Sequence, residues 1–314
     1  TYIHFGENYC SGVPFSVVDA SGQFVYGGRE TTAQIFQRAV VAADSAIAAA
    51  TRAVTTTAAR NQQLNLAAIL KGRALLNLNQ PAAAAAAVAA VPTNFFYGIF
   101  HSENTPRENH GVFAFNVLNE RISVSNSEGG EGLPYRNNFT AGDPRTPWVR
   151  TPANDVGFDS STPQYDNLKY SSRSDTTPLG QGIEARLIEA EAQLRAGNYA
   201  GAGGTLAILN AQRATIGLPA LADPGTAAGQ QDQLFAERAY WLWLTSHRLG
   251  DMRRLVRQYG RNQATVFPTG PYHKPVQGGQ YGSDVNLPLS VDERNNPELS
   301  GIPTNQSLCL DRNA

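Results

Sequence analysis

Lys71-Gly-Arg-Ala-Leu-Leu-Asn-Leu-Asn-Gln-Pro-Ala-Ala-Ala84 lines up without gaps against Glu189-Ala-Glu-Ala-Gln-Leu-Arg-Ala-Gly-Asn-Tyr-Ala-Gly-Ala202. Each stretch reads as the end of a helix, a two-residue break and a second helix rich in small residues. Small side chains let two helices approach closely, so the spacing predicts a helix–turn–helix hairpin that occurs twice. Any two Ala-rich hairpins look somewhat alike, but here the break falls at the same register in both.

The pattern extends outward from both copies. Thr31-Thr32 caps a helix over 32–52 with Ile35, Phe36, Ala39, Val40, Ala43 and Ile47 on one stripe. A helix over 61–79 follows, and Gln80-Pro81 starts the alanine run 82–91, which Pro92 stops. After residue 182 the periodicity predicts helices over 183–196, 199–214, 230–248 and 250–258, the last closed by Gly260. Residues 1–30 are Gly-rich and turn-like. Residues 93–180 change character: Pro, Gly, Asn, Ser and Thr dominate, with short β-like pieces expected at 111–118 and 121–125. A loop region this long is uncommon unless it is functional. The expectation is a mainly α protein, a single domain over 1–314. Its hairpin scaffold is 32–92 and 183–260, its loop-rich, aromatic, ligand-facing insertion is 93–182, and its loop-rich tail is 261–314.

Composition narrows the function. The 314 residues carry 25 Lys+Arg and 26 Asp+Glu, a formal charge of −1, with 41% hydrophobic residues, enough for a core. Nucleic-acid binding needs a basic excess, and no run of five Lys/Arg occurs. Lys71, Lys169 and Lys274 are the only lysines, so the basic residues are chiefly Arg, which suits fixed ion pairs. The longest uncharged stretch, Ala74–Ser102, is mostly Ala, is cut by Pro81 and Pro92, and is too short as a helix to span a bilayer. Cys10 and Cys309 are the only cysteines. They either form one disulfide tying the ends of the chain in an oxidising compartment or are two unrelated buried thiols. Thr1–Gly6 reads as the last turn of a helix, and the expectation is a processed or incompletely known start.

No motif of bond chemistry emerges. His4, His101, His110, His247 and His273 form no ligand-spaced pair, and a metal site at His101/His110 competes with solvated loop histidines. No cofactor is expected. Neither GxSxG, GxGxxG before a helix, nor GxxxxGK[ST] occurs. Glu128/Glu131, Asp155/Asp159 and Asp292/Glu293 read as solvated carboxylates in polar loops. What stands out is the aromatic series Phe95, Phe96, Tyr97, Phe100, Phe113, Phe115, Tyr135, Phe139, Trp148, Phe158, Tyr165 and Tyr170. Sugar rings offer apolar C–H faces and a rim of hydroxyls. Flat aromatic side chains cover the faces, while Asn, Arg and Asp satisfy the rim. Trp148 with Arg145, and the run Tyr135-Arg136-Asn137, are therefore the candidate ligand contacts, although most of these aromatics are expected to pin loops onto the helical core. Asn138-Phe-Thr140 and Asn305-Gln-Ser307 are glycosylation sequons that matter only in a secreted protein.

The hairpin at 183–214 followed by Glu237-Arg238, Leu242, His247-Arg248 and Asp251-Met-Arg253-Arg254 resembles the SusD/RagB family. These are surface-exposed nutrient-binding lipoproteins of the Bacteroidetes-type outer membrane. The family pattern on this helix is E-R-x-x-E-L-x-x-E-G-x-R, followed by an Asp-to-Arg stretch. Glu237, Arg238, Leu242, Arg248, Asp251 and Arg253 match it; Trp241, Thr245 and Ser246 depart from it. The segments Gly6–Pro14, Asn286–Leu289, Pro297–Leu299 and Gly301–Pro303 are similar as well. The expectation is that the family's N-terminal portion with its lipid-bearing cysteine is missing from this sequence, and that Cys10 is not that residue. The resemblance implies a tetratricopeptide-like helical scaffold that captures oligosaccharides or similar nutrients and passes them to a TonB-dependent transporter. It implies a place at the outer membrane and cell surface, or secretion, and no catalysis. The matching charges read as buried Arg–carboxylate pairs between helices. A rival reading is a structural subunit of an extracellular filament or surface layer, a homo-oligomer glycosylated at Asn138 or Asn305. A glycoside hydrolase has only fold-level plausibility.

Overall fold

The computed structural model describes residues 1–52, 56–152, 155–272 and 279–313; His273, Lys274 and Gly278 lie outside them. The helices are α1 (Tyr2–Asn8), α2 (Thr32–Arg52), α3 (Thr57–Asn77), α4 (Pro81–Val88), α5 (Gly111–Phe113), α6 (Tyr135–Thr140), α7 (Gly182–Arg195), α8 (Thr205–Ala214), α9 (Ala227–Trp241) and α10 (Arg248–Tyr259). The strands form four two-stranded antiparallel ladders. They pair β1 (Val13–Pro14) with β4 (Arg29–Glu30), β2 (Val17–Val18) with β3 (Phe24–Val25), β5 (Phe96–Ile99) with β8 (Thr177–Gln181), and β6 (Trp148–Val149) with β7 (Asp166–Asn167). The fold is mainly helical, and it divides into two compact units.

The first unit holds residues 1–88, 249–263 and 282–314. Its long helix α2 begins at a capping box. The Gln34 N–H donates to Thr31 Oγ1 (3.2 Å), while the Thr31 N–H donates back to Gln34 Oε1 (2.8 Å). Of the expected stripe, Ile35, Phe36, Ala39, Val40 and Ala43 are buried and Ile47 is half-buried. Gly6 lets α1 lie on Phe36, since a Cβ there would stand 2.7 Å from the ring. A core of Cys10, Val13, Ile35, Leu289, Leu299, Leu308 and Cys309 gathers the two ends of the chain. Cys10 and Cys309 are joined as a disulfide with their Cα atoms 5.8 Å apart.

The second unit holds residues 89–248 and 264–281. Here α7 packs against α8 and α9, and α7 follows directly from β8 at Gly182, where a Cβ would collide with Pro92 O at 2.2 Å.

The two hairpins end their first helices identically. At α3 the N–H groups of Leu78, Asn79 and Gln80 reach the carbonyls of Ala74, Leu76 and Leu75. At α7 those of Ala196, Gly197 and Asn198 reach Ala192, Leu194 and Gln193. Asn79 (φ 59) and Gly197 (φ 75) hold the left-handed conformation that turns the chain. The hairpins differ afterwards. α4 starts at once, but α8 starts at Thr205 rather than 199, because Gly203 (φ 64) is left-handed. The Thr205 and Leu206 N–H groups return to the carbonyls of Asn198 and Tyr199.

Two other expectations are corrected. Residues 111–118 are not a strand but α5 running into a π-helical turn, Ala114–Leu118; His110 Nδ1 caps it by accepting the Phe113 N–H at 3.2 Å. Residues 121–125 form no strand either. So short a run does not separate a period of two from one of 3.6. The helix expected over 230–248 ends at Trp241. Beyond it, carbonyls that would continue the ladder are taken: Thr245 Oγ1 donates to Leu242 O, Lys169 Nζ to Trp243 O and Tyr170 Oη to Leu244 O. Leu244 (φ 56) and Ser246 (φ 64) turn left-handed, and α10 restarts the helix at Arg248.

Candidate functional site

The charged residues of the matching helix are structural. Glu237, with only 5% of its side chain exposed, accepts from Arg145 Nη1 (2.6 Å), Arg145 Nη2 (3.1 Å) and Arg213 Nη1 (2.6 Å). Arg145 also grips Asp143 through Nε (2.9 Å) and Nη2 (2.5 Å). Burial works to lift the Asp143 pKa, but the hydrogen bonds from Arg145 outweigh it and hold the carboxyl below its usual range. Arg238 faces Glu191 of α7 at 3.6 Å, both fully buried. Asp251 pairs inside its own helix with Arg254 (2.9 Å), and Arg253 donates to the carbonyls of Gly6 (3.0 Å) and Glu7 (2.5 Å). Arg248 is half-buried at the first turn of α10. Pairing between neighbouring helices thus holds for Arg238. It holds for Glu237 too, through Arg213 of α8, and Glu237 further ties α9 to Arg145 in the 143–145 loop.

The two loop histidines come together without making a metal site. His101 Nε2 and His110 Nε2 each lie 2.9 Å from Thr177 Oγ1, and His101 Nδ1 lies 3.2 Å from Glu108 O. With His110 Nδ1 occupied by a backbone N–H, its Nε2 donates to the hydroxyl, which leaves the hydroxyl proton for His101. Both rings are spent on closing the end of the β5–β8 ladder. Among the described residues, no group of three or more His, Cys, Asp and Glu is placed to hold a metal ion.

The aromatic loop block encloses a cleft of about 730 Å³ within the second unit, inside the ~300–1,000 Å³ range of ligand sites. Four segments build it: 120–128, Arg136 on α6, 157–165, and a fourth represented by Pro268, Tyr272 and Tyr281. A buried amide network fixes the first and third. Gln164 Nε2 donates to Asn116 O (2.7 Å), Ile122 O (3.1 Å) and Asp166 Oδ1 (2.8 Å). Asn116 Oδ1 accepts from Asn167 N (2.6 Å) and Nδ2 (2.7 Å), and its Nδ2 donates to Ile122 O (2.7 Å). These side chains supply the pairing a strand ladder would give, in a region where strands are very short. The fourth segment carries Tyr272 and Tyr281 side by side, ring centroids 5.2 Å apart at 90°. Tyr281 Oη donates to Glu128 Oε2 at 3.2 Å; burial and that carboxylate push its pKa up to about 12, so it stays a donor at neutral pH. Gly129 (φ 60) permits the close approach of this segment, because a Cβ would stand 2.7 Å from Pro268 Cβ.

Arg136 alone of the expected contacts lines the cleft, its guanidinium 3.7 Å from the Tyr165 ring centroid. Trp148 stands behind that wall. Its indole N–H donates to Arg136 O (3.0 Å), and its ring meets Tyr165 (5.2 Å, 82°) and Phe139 (6.4 Å, 63°) edge-on. Tyr135 packs against Tyr240 and Trp243, at 5.8 and 6.4 Å. Asn137 is exposed and spends its N–H on Asn126 Oδ1 (3.1 Å). Arg145 lies outside the cleft lining, with both its edges taken by Asp143 and Glu237. Of the sequons, Asn305 is exposed in a turn, while the Asn138 amide nitrogen is covered on α6. The cleft residues Arg121, Tyr272 and Tyr281 carried no sequence signal beyond being Arg and Tyr in loops. Phe158 and Tyr165 stood in the aromatic series but were not singled out.

No protein-family model matches the sequence, and no curated protein does. Solved structures do match the fold. A SusD-like carbohydrate binding protein from Bacteroides vulgatus shares 14% identity at a TM-score of 0.59, over 95% of this chain and 74% of that one. A SusD/RagB family protein from Bacteroides thetaiotaomicron gives 16% and 0.59, over 94% and 73%. A SusD superfamily protein from Bacteroides vulgatus gives 17% and 0.54, over 96% and 75%. The chain has the SusD-like fold.

Proposed function

We propose that this protein captures an oligosaccharide in the cleft between Phe158, Tyr165, Tyr272 and Tyr281, at the outer surface of a cell, for delivery to a TonB-dependent transporter. The observation that carries the reading is the cleft's makeup. Phe158 is 64% exposed, Tyr272 and Tyr281 add half-buried rings with hydroxyl tips, and Arg121, Arg136, Glu120 and Glu128 supply polar edges around the same space. Such a mixture suits a polyol with apolar faces. The SusD-like fold supports it, as does a disulfide, which persists in oxidising surroundings. The reading assigns no bond chemistry to any residue.

Calorimetric titration against a panel of neutral and acidic oligosaccharides tests it. Saturable binding that is lost in Phe158→Ala and in Tyr272→Ala, with helical circular dichroism preserved, is the expected result. Binding that survives both substitutions refutes the cleft. Recovery of the protein with a β-barrel transporter from its native membrane tests the delivery step.

A second reading, a subunit of a surface assembly, draws on the β2–β3 hairpin. Its Val17, Val18, Phe24, Val25 and Tyr26 are all exposed, Phe24 at 67%, and exposed apolar strands are ready sites for pairing with another chain. Sedimentation across a wide concentration range separates the readings. Polymers abolished by Phe24→Ser favour the assembly, and a monomer throughout removes it.

A further inference from the structure

We infer that the cleft selects oligosaccharides bearing an anionic group, a carboxylate or a sulfate ester, through Arg121 and Arg136; this rests on the oligosaccharide reading above. The two arginines are held in an unusual way. The Arg121 guanidinium lies 4.0 Å from the Phe158 ring centroid and that of Arg136 3.7 Å from the Tyr165 centroid, both within the lining of the one cleft. Stacking fixes a guanidinium's plane through its face and uses none of its N–H donors, which point outward in that plane. Neither guanidinium has a carboxylate or carbonyl partner among the described residues, and the covered Nε–H of Arg136 has no acceptor there. Other partly or wholly buried arginines of this unit are committed: Arg145 and Arg213 to Glu237, Arg186 to Glu189. Two planar forks with donors unspent, each pre-set on an aromatic face, match the bidentate geometry of a carboxylate or sulfate.

The cleft also contains carboxylates, and their engagement explains why they leave the arginines unpaired. Glu128 accepts from Tyr281. Asp159 is turned into its own loop, accepting from the N–H groups of Ser161 (3.0 Å) and Thr162 (2.8 Å) and from Thr162 Oγ1 (2.5 Å). Glu120 remains to accept from sugar hydroxyls. A neutral glycan would use the rings and Glu120 but leave both guanidiniums without a carboxylate at bonding distance. An acidic one completes them, while its sugar faces lie on the tyrosines.

The test uses the purified full chain and a panel of uronate- and sulfate-bearing oligosaccharides, each beside its carboxyl-reduced or desulfated counterpart. Binding confined to acidic members, weakening steeply as salt rises, is the expected result. Uronates and sulfates bound side by side, or one alone, identify the anion. Arg121→Gln and Arg136→Gln should each weaken the acidic ligand about tenfold to a hundredfold with an unchanged melting curve. Arg121→Lys and Arg136→Lys, which keep charge but lose the fork, should recover only part of it. Arg107→Gln, an exposed arginine outside the cleft, should leave binding unchanged. Equal binding of acidic and neutral members overturns the anion assignment and leaves the oligosaccharide reading standing. A panel with no binder overturns both.

Discussion

Glu237→Gln tests whether the α9 charges are a strut rather than a site. The wild-type carboxylate takes three short bonds from two guanidiniums with 5% of its side chain exposed. Gln keeps one acceptor oxygen and turns an NH₂ towards a cation. Arg145 retains Asp143, but Arg213 loses its carboxylate and keeps only neutral acceptors, among them Pro219 O at 2.8 Å through Nε. Stranding a buried charge costs about 3–5 kcal/mol. Because the Arg213 side chain is 12% exposed and water can reach it, the lower end, about 3 kcal/mol, is the expected loss. Against a total stability of about 5–15 kcal/mol this is a large displacement of the unfolding midpoint. Trp148, Trp241 and Trp243, the protein's three tryptophans, all lie in the second unit, so tryptophan fluorescence in urea reports the unit that carries the change. Arg213→Met alone and combined with Glu237→Gln closes a double-mutant cycle, in which the Gln substitution should cost much less once Arg213 is gone. A loss below about 1 kcal/mol, or additive behaviour in the cycle, refutes the strut.

Three further outcomes follow from the geometry. Gly129→Ala and Gly130→Ala both place a side chain at positive φ, but only the first meets a neighbour, Pro268, at 2.7 Å; oligosaccharide affinity should fall far more in Gly129→Ala, and equal losses would show that the close approach is irrelevant to the cleft. Burial lowers the Lys169 pKa from 10.5 to about 8, so the unfolded chain binds the extra proton between these values. Stability should therefore climb from pH 8 towards pH 10 by at most about 3 kcal/mol relative to Lys169→Met, and parallel pH profiles for the two proteins would refute the assignment. Cys10→Ser with Cys309→Ser should lower stability by about 2–5 kcal/mol and remove the effect of reductant on the melting temperature; a wild type indifferent to reductant contradicts the bond's role.

The parts legible in the sequence were those fixed by neighbours a few residues away. Thr31 and Gln34 cap each other, so α2 begins where its sequence says. Asn79 and Gly197 end their helices through bonds reaching only three to five residues back, so the repeated register could be read directly. What failed needed partners from afar. The end of α9 is set in large part by Lys169 and Tyr170, far away along the chain, with Thr245 taking the Leu242 carbonyl locally. Arg145 beside Trp148 has the composition of a sugar contact, yet Glu237 claims it across 92 positions. The same logic explains the missed cleft. Phe158 and Arg121, or Tyr165 and Arg136, become pairs only after the loops fold, and an Arg in a loop carries no mark of what it will stack on.

Those loops are also the reason the cleft is not soft. Among the described residues no strand bordering it exceeds two residues, so backbone pairing alone cannot hold segments 120–128 and 157–165 in place. Asn116, Gln164 and Asn167, all buried, do it with side-chain amides, which bond backbone and side chain in several directions at once where a ladder bonds in two. A network of this kind is sensitive to its members. Asn116→Leu would leave the Ile122 carbonyl short of one donor and Asn167 short of its acceptor, each loss costing about 1–3 kcal/mol. The helices supply the mass of the unit, but the shape a ligand would meet is set by three amides that no helical or strand periodicity would reveal.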